Sequence, residues 1–296
     1  MVFAADSDAD GALELYASAP DGSGAWKLNG ALTPGGAGVS SSFQIAPDGT
    51  RVVYAADESG EVGLELHSVE IDGTDRVTLE DGGPVLDFEI TALGRVVFVV
   101  GHPQSQELDI HASGLKGEGR VQIASKIGFD TSSSLLVGPA DGPAVYVAYD
   151  EPGLWSSTVY ASRIDGSGTT NLNPTYYVSQ IIDVQLTADG SRVVYRTIHE
   201  DDAGVAEPLH RQDGWHCSPV EPQHAASSTR GPRGVLRLTP DGSAVLYVAD
   251  PGAEGTTGLY ASPIDGGASV KISAPDMTGH VNAVEVSADE AGRLTR

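Results

Sequence analysis

The sequence predicts an all-β fold assembled from repeats, and three observations lead to this prediction. A strand motif of the type Leu-aromatic-Ala-Ser-x-x-Asp-Gly recurs about every 50 residues. Its copies, some of them degenerate, begin at Leu15, Leu66, Ile110, Val159, Leu209 and Leu259. A turn followed at once by a β-branched and aromatic run also recurs, and one repeat is divided between the two ends of the chain. Four short strands in each repeat predict a six-bladed β-propeller with four-stranded antiparallel blades.

The clearest repeat runs from Phe43 to Gly73. It reads as an alternating strand, the turn Pro47-Asp-Gly-Thr50, and the apolar run Arg51–Ala56. Turns of this kind occupy residues 46–49, 91–94, 139–142, 187–190 and 239–242. Asp bonds its own backbone and Gly accepts positive φ, so these turns are predicted to be architectural rather than catalytic.

The first repeat is divided between the termini. A sixth turn, residues 287–292, has no apolar run after it, whereas residues 1–6 match residues 52–57 almost residue for residue. A ring can share one repeat between its two ends, and closure protects the sheet edges. We therefore expect residues 1–296 to form a single domain. In it, residues 1–34 plus 281–296 make the divided blade, closed by a strand at Val281–Val286.

The fifth repeat departs most from the pattern. Residues 199–230 are polar and do not alternate cleanly. This stretch is either a worn outer strand or an insertion that projects from the ring.

Composition excludes several classes of function. The formal net charge of −24 argues against binding nucleic acid or anionic lipid, since such partners require Lys and Arg to neutralise phosphate. Cys217 is the only cysteine, so no internal disulfide forms. No run of roughly 18 apolar residues occurs, which predicts no membrane insertion.

The Pro-Asp-Gly turn, the strand Arg51-Val-Val-Tyr54 and the strand Leu259-Tyr-Ala-Ser-Pro-Ile-Asp-Gly266 resemble the TolB-type WD40-like (PD40) propeller repeats. The resemblance covers essentially the whole chain, most plainly residues 38–82 and 231–274. It implies a propeller that binds a protein or peptide in the periplasm or outside the cell, although the chain shows no leader sequence. The same family includes propellers attached to peptidases and some sugar-acid lyases, so the resemblance is specific for fold only.

Acidic loops predict one binding face. In a propeller, the loops between strands 2 and 3 and those between blades share the face around the central channel. Asp begins four of the former loops, at Asp6, Asp57, Asp150 and Asp250. The positions expected to line the channel, at the start of the innermost strands, are Ser42, Asp87, Ser134 and Asp183. A cationic partner suits such a surface, but Asp after a strand is also ordinary turn chemistry.

The sharpest local motif is a candidate calcium loop, Asp6-Ser-Asp-Ala-Asp-Gly-Ala-Leu-Glu14. Oxygen ligands at alternating positions and a Gly for the bend are what calcium needs from a short loop. The expected ligands are Asp6, Asp8, Asp10 and Glu14, in a loop similar to those of integrin-type propellers. A solvated acidic hairpin is the alternative.

No catalytic signature stands out. The chain has no Gly-x-Ser-x-Gly elbow or phosphate-binding glycine loop, and His67, His111 and His210 stand where other repeats have Tyr, which predicts packing. We expect a monomeric, non-enzymatic scaffold for a protein or peptide, with no certain cofactor. The alternatives are a calcium-dependent lactonase-like hydrolase or a sugar-acid lyase with metal in the channel, and a domain of a larger assembly.

Overall fold

The computed structural model describes most of the chain. The described residues are 1–7, 11–61, 63–105, 107–129, 135–149, 157–172, 180–198, 210–213, 216–219, 236–249, 258–265, 268–273, 281, 284 and 286. Their regular secondary structure is entirely β, and among them no helix long and apolar enough to cross a membrane occurs.

The chain divides into two compact units. The first comprises Met1–Phe129, Ala140–Ala144 and Ser162–Thr169, and the second comprises Asp130–Pro139, Val145–Ala161 and Thr170–Arg296.

The first compact unit holds a three-stranded sheet, β1-β2-β3, a four-stranded sheet, β4-β5-β6-β7, and the run β8-β9-β10-β11, which is part of an eight-stranded sheet. Their strands are β1 (Val2–Ala5), β2 (Glu14–Ser18), β3 (Ala25–Lys27), β4 (Val39–Ile45), β5 (Arg51–Ala56), β6 (Glu65–Glu70), β7 (Val77–Glu80), β8 (Val85–Ile90), β9 (Arg95–Gly101), β10 (Glu107–Gly114) and β11 (Val121–Phe129).

The remaining strands lie wholly or mainly in the second compact unit. They are β12 (Leu136–Val137), β13 (Ala144–Tyr149), β14 (Ser157–Ser162), β15 (Thr169–Asn171), β16 (Gln180–Leu186), β17 (Val193–Ile198), β18 (His210–Asp213), β19 (His216–Pro219), β20 (Leu236–Leu238), β21 (Ala244–Ala249), β22 (Gly258–Pro263) and β23 (Val270–Lys271). β12 pairs with β13, β13 pairs with β14, and β14 pairs with β15. The strands β20 to β23 form a four-stranded sheet in chain order.

The predicted four-stranded antiparallel sheets are confirmed at β4–β7 and β20–β23, but not at β8–β11, which belongs to an eight-stranded sheet. The fifth repeat differs, since β16 pairs with β17 and β18 pairs with β19 as two separate ladders. Of the closing strand expected at Val281–Val286, only residues 281, 284 and 286 are described. The count of six blades, the ring closure and the single domain therefore stay predictions.

The core of the first compact unit lies between consecutive sheets. β5 is buried along its whole length, and its side chains alternate between two clusters. Val52 and Tyr54 share a cluster with side chains of β2, whereas Val53 and Ala55 share one with side chains of β9. Because both faces of the strand are buried, its sequence is a continuous apolar run rather than an alternating one.

An aromatic pair links the second and third strands of successive repeats. The pairs, with ring centroids 5.3–5.8 Å apart, are Phe3–Tyr16, Tyr54–His67, Phe98–His111, Tyr146–Tyr160 and Tyr247–Tyr260. Such cross-strand pairs stabilise a sheet beyond the apolar area that they bury. The packing role predicted for His67 and His111 is confirmed.

The Asp-Gly turns are architectural, as predicted. Asp48 Oδ1 accepts the backbone N–H of Thr50 at 3.0 Å and its hydroxyl at 2.9 Å. Asp189 makes the same turn, and the Thr187 hydroxyl and the Ser191 amide lower its pKa to about 2. The negative charge of these aspartates is therefore held by the turn itself.

In two of the turns, the hydroxyl–carboxylate hydrogen bond is made between the turns instead of within one turn. Leu93 stands where most of the turns have Asp, and the hydroxyl of Thr91 donates instead to Asp141 Oδ1 of the next repeat, at 2.5 Å. Asp141 cannot bond an amide two residues later because that residue is Pro143, which has no N–H. Two incomplete turns thus complete each other.

A glutamine side chain ties the innermost strands β4 and β8. Gln44 donates from Nε2 to the carbonyl oxygen of Phe88 at 3.2 Å and accepts the N–H of Ile90 on Oε1 at 3.0 Å. In the second compact unit, Gln185 makes the same two bonds to Leu236 and Leu238 of β20. One side-chain amide thus takes the place of a missing strand neighbour.

Replacing Gln44 by Met is expected to lower the free energy of unfolding by about 2 kcal/mol, because two backbone groups of β8 lose their partner. Urea denaturation measures this. The matched control is Gln122→Met, since Gln122 is exposed and bonds only the side chain of Asp109 in the described contacts. That control should stay within about 0.5 kcal/mol of the unaltered protein. Equal losses in the two variants would contradict the role given to Gln44.

Candidate functional site

β-Bulges recur at the start of the innermost strands. The register with the following strand shifts between Val39 and Phe43 in β4, between Val85 and Asp87 in β8, and between Ile181 and Asp183 in β16. A bulge bends the strand and redirects its side chains, and bulges are over-represented next to functional sites.

The bulges lie beside three of the residues predicted to line the channel. Phe43, Phe88 and Val184 lie opposite the aromatic residue of the second strand, which is Tyr54, Phe98 and Tyr195 respectively. The residues that directly precede them are Ser42, Asp87 and Asp183. Asp87 and Asp183 pair with Val99 and Arg196, the residues directly after that aromatic residue, whereas Ser42 lies within the bulge between Val39 and Phe43. Ser134, the fourth predicted member, lies outside the described residues.

The bulged segments of the first compact unit present a mixed surface. Ser41 and Ser42 are exposed, and Leu86 is 49% exposed. Asp87 is half-buried, and its Oδ1 accepts the N–H of Phe88 at 2.9 Å. This segment therefore combines hydroxyl groups, a carboxylate and an exposed apolar side chain.

Asp57, predicted at the acidic face, is 8% exposed. Its carboxylate accepts the N–H of Gly60 at 3.1 Å and the N–H of Ala37 at 3.3 Å. Asp57 thus joins its own hairpin loop to the segment before β4, and little of it meets solvent. Asp150 and Asp250 lie outside the described residues.

Glu65 is a structural carboxylate that sequence reasoning missed. It is 1% exposed and accepts the N–H groups of Glu58 at 2.8 Å and Ser59 at 3.0 Å, together with the Ser59 hydroxyl. Burial raises the pKa of Glu65, but the hydrogen bonds from Ser59 and Glu58 outweigh it and hold the pKa below the ordinary value. The available signal was that Glu14 holds the same position in the first repeat.

In the candidate calcium loop, a glutamate likewise accepts a backbone N–H group of its own hairpin. Glu14 accepts the N–H of Ser7 at 2.9 Å and pairs with Lys27 Nζ at 2.7 Å, and Asp6 accepts the N–H of Gly11 at 3.1 Å. Asp8 and Asp10 lie outside the described residues, among which no group of three metal-binding side chains is found. Calcium at this loop stays a prediction, and it would have to compete with the Lys27 ammonium for Glu14.

Comparison with known proteins finds likeness in structure only. The chain matches no protein-family model and no curated protein. Among solved structures, a prolyl endopeptidase shares 13% identity over 93% of this chain and 41% of its own, with a TM-score of 0.53. TolB from Acinetobacter baumannii shares 14% identity over 86% of this chain and 57% of its own, with a TM-score of 0.43. Pyrococcus horikoshii acylaminoacyl peptidase shares 13% identity over 92% of this chain and 44% of its own, with a TM-score of 0.48.

This chain spans between 41% and 57% of the length of those proteins. The likeness to the prolyl endopeptidase concerns the fold alone. Together with the four-stranded antiparallel sheets, it identifies the fold of this chain as a β-propeller.

Proposed function

We propose that this chain is a six-bladed propeller, closed into a ring, that binds a protein or peptide at the bulged ends of its innermost strands. The observation that supports the proposal is the recurrence of the bulge, which lies beside Ser42 in β4, Asp87 in β8 and Asp183 in β16. In a closed ring such positions surround the channel, where one ligand meets several blades.

The expected ligand is a basic segment with apolar side chains. The net charge of −24 attracts cationic partners and speeds their association. The carboxylate of Asp87 and the 49% exposed Leu86 are consecutive in the chain and supply one polar and one apolar group. A scaffold of this kind has no need of catalysis, and we propose a non-enzymatic role in the periplasm or outside the cell.

A peptide library displayed on phage, selected against the unaltered protein, tests this proposal. We expect enriched peptides to be basic and partly apolar. Asp87→Arg should weaken binding of the best peptide tenfold or more, measured by fluorescence polarisation, because it reverses charge at the bulge. Glu118→Arg is the matched control, since Glu118 is exposed in the turn between β10 and β11, and should change affinity less than twofold.

Two outcomes would overturn the proposal. One is a library that yields no enriched peptide, and the other is an Asp87→Arg variant that binds as tightly as Glu118→Arg. Far-ultraviolet circular dichroism of both variants separates loss of binding from loss of fold.

A further inference from the structure

A buried polar cluster lies across β5, β6 and the start of β7. His67 is 3% exposed, and its ring packs on Tyr54 at 5.3 Å between centroids. Its Nδ1 lies 3.2 Å from Arg76 Nη1 and 3.3 Å from the hydroxyl of Thr78. Because a guanidinium only donates, Nδ1 accepts this bond, and the neutral ring carries its proton on Nε2.

The Nε2 side of the ring is buried without a hydrogen-bond partner. Two buried carboxylates face it beyond hydrogen-bond distance, with Glu58 Oε2 at 3.7 Å and Glu65 Oε2 at 3.9 Å. Arg76 Nη1 contacts Nδ1 of the ring and also pairs with Glu58 Oε2, and Asp81 acts on the ring electrostatically. A buried N–H that stops short of two carboxylates is an uncommon arrangement in a folded protein.

Glu58 is meanwhile committed to other partners. Its Oε1 accepts the N–H of Gly30 at 2.7 Å and the hydroxyl of Tyr54 at 3.0 Å, and its Oε2 pairs with Arg76. Gly30 lies in the segment that joins β3 to β4. Glu58 therefore fastens that segment to β5 and its hairpin.

Protonation of His67 would change the hydrogen bonds that its ring can make. Nδ1 would become a donor and face the Arg76 guanidinium, while the charged Nε2–H would attract the nearest carboxylate. A movement of Glu58 by about 1 Å reaches hydrogen-bond distance from Nε2. Oε2 is the oxygen nearest Nε2, and because Oε1 belongs to the same carboxylate, we infer that this movement draws Oε1 away from the Gly30 amide.

We propose that His67 and Glu58 form an acid-sensitive latch on the segment between β3 and β4. In the neutral form Glu58 holds the Gly30 amide, and in the protonated form it holds His67 instead and releases Gly30. The proposal is independent of any binding function.

The direction of the pH dependence follows from burial. Burial lowers the pKa of His67, the Glu58 carboxylate opposes this effect and Arg76 reinforces it. Since the folded-state pKa lies below the unfolded value, the stabilisation from neutral His67 is present above the ordinary histidine range. It is lost as the pH falls through the folded pKa. The latch therefore opens towards acid.

Amide hydrogen exchange at Gly30, measured by NMR and corrected for the intrinsic pH dependence, tests the latch. We expect protection of this amide to fall about tenfold between pH 7.5 and pH 5, as a charge-assisted hydrogen bond is lost. His67→Gln should remove this dependence, because Gln accepts from Arg76 but takes up no proton. His111→Gln is the matched control, since His111 stacks on Phe98 at 5.6 Å in the next repeat, and should leave the dependence unchanged.

The imidazole nitrogen shifts of His67 in the unaltered protein give a second readout that needs no variant. We expect the Nε2–H tautomer at neutral pH and a transition that coincides with the change at Gly30. Protection of Gly30 that does not vary with pH would overturn the proposal, and so would an unchanged dependence in His67→Gln.

Discussion

Replacing Arg51 by Met is expected to lower the free energy of unfolding by about 3 kcal/mol, one of the two largest losses we foresee. The guanidinium is 2% exposed, and all of its donors are used. It binds the hydroxyl and carbonyl oxygens of Ser68, the carboxylate of Glu70, and both the carboxylate and the carbonyl oxygen of Asp75. Met fills part of the volume and satisfies none of these acceptors.

Arg95 offers a control at the same position of the next repeat. Its Nε is buried without a partner, and Nη2 reaches the carbonyl oxygen of Gly119 at 3.3 Å. Arg95→Met should therefore cost less than about 1 kcal/mol in chemical denaturation. The account of Arg51 fails if the two substitutions prove equally costly.

Glu65→Leu is expected to cost a similar amount, about 3 kcal/mol, because the amides of Glu58 and Ser59 lose a buried charged acceptor. The difference in the free energy of unfolding between Glu65→Leu and the unaltered protein should become smaller at acid pH. The pKa of Glu65 is held below its ordinary value, so its contribution is present at neutral pH and is lost as the pH falls through the folded pKa.

Thermal melting across pH, with hydrogen exchange at residues 58 and 59, measures the effect of Glu65→Leu. Glu107→Leu is the matched control, since Glu107 likewise begins the third strand of its sheet but is only half-buried. We expect Glu107→Leu to change the melting temperature little at any pH. A loss in Glu65→Leu that is the same at pH 3 and pH 7 would argue against the capping role.

Much of the fold was readable from sequence because its signals are local. The run Arg51–Ala56 is a strand of those bounds, and the Pro47-Asp48-Gly49 turn forms as its residues require. Both depend on neighbours in the chain, namely β-branched side chains in a row and an Asp two residues before a free amide. Repetition then made each local signal stronger.

The functional surface was harder to foresee because it depends on distant neighbours. Asp57 reads as an exposed loop carboxylate, yet it is buried against the amide of Ala37. Nothing in the sequence distinguishes an Asp that points outward from one that bonds a segment twenty residues earlier. Gln44 and Glu65 escaped notice for the same reason, since their partners are backbone groups, which leave no mark on composition.

The bond between Thr91 and Asp141 limits how this protein can be re-engineered. Duplicating, deleting or permuting repeats assumes that every repeat accepts any neighbour. Here the turn with Leu93 needs an acceptor from outside, and the turn with Pro143 has an acceptor to spare. Inserting another repeat between these two would break the bond between Thr91 and Asp141. The third and fourth repeats therefore have to be kept next to each other.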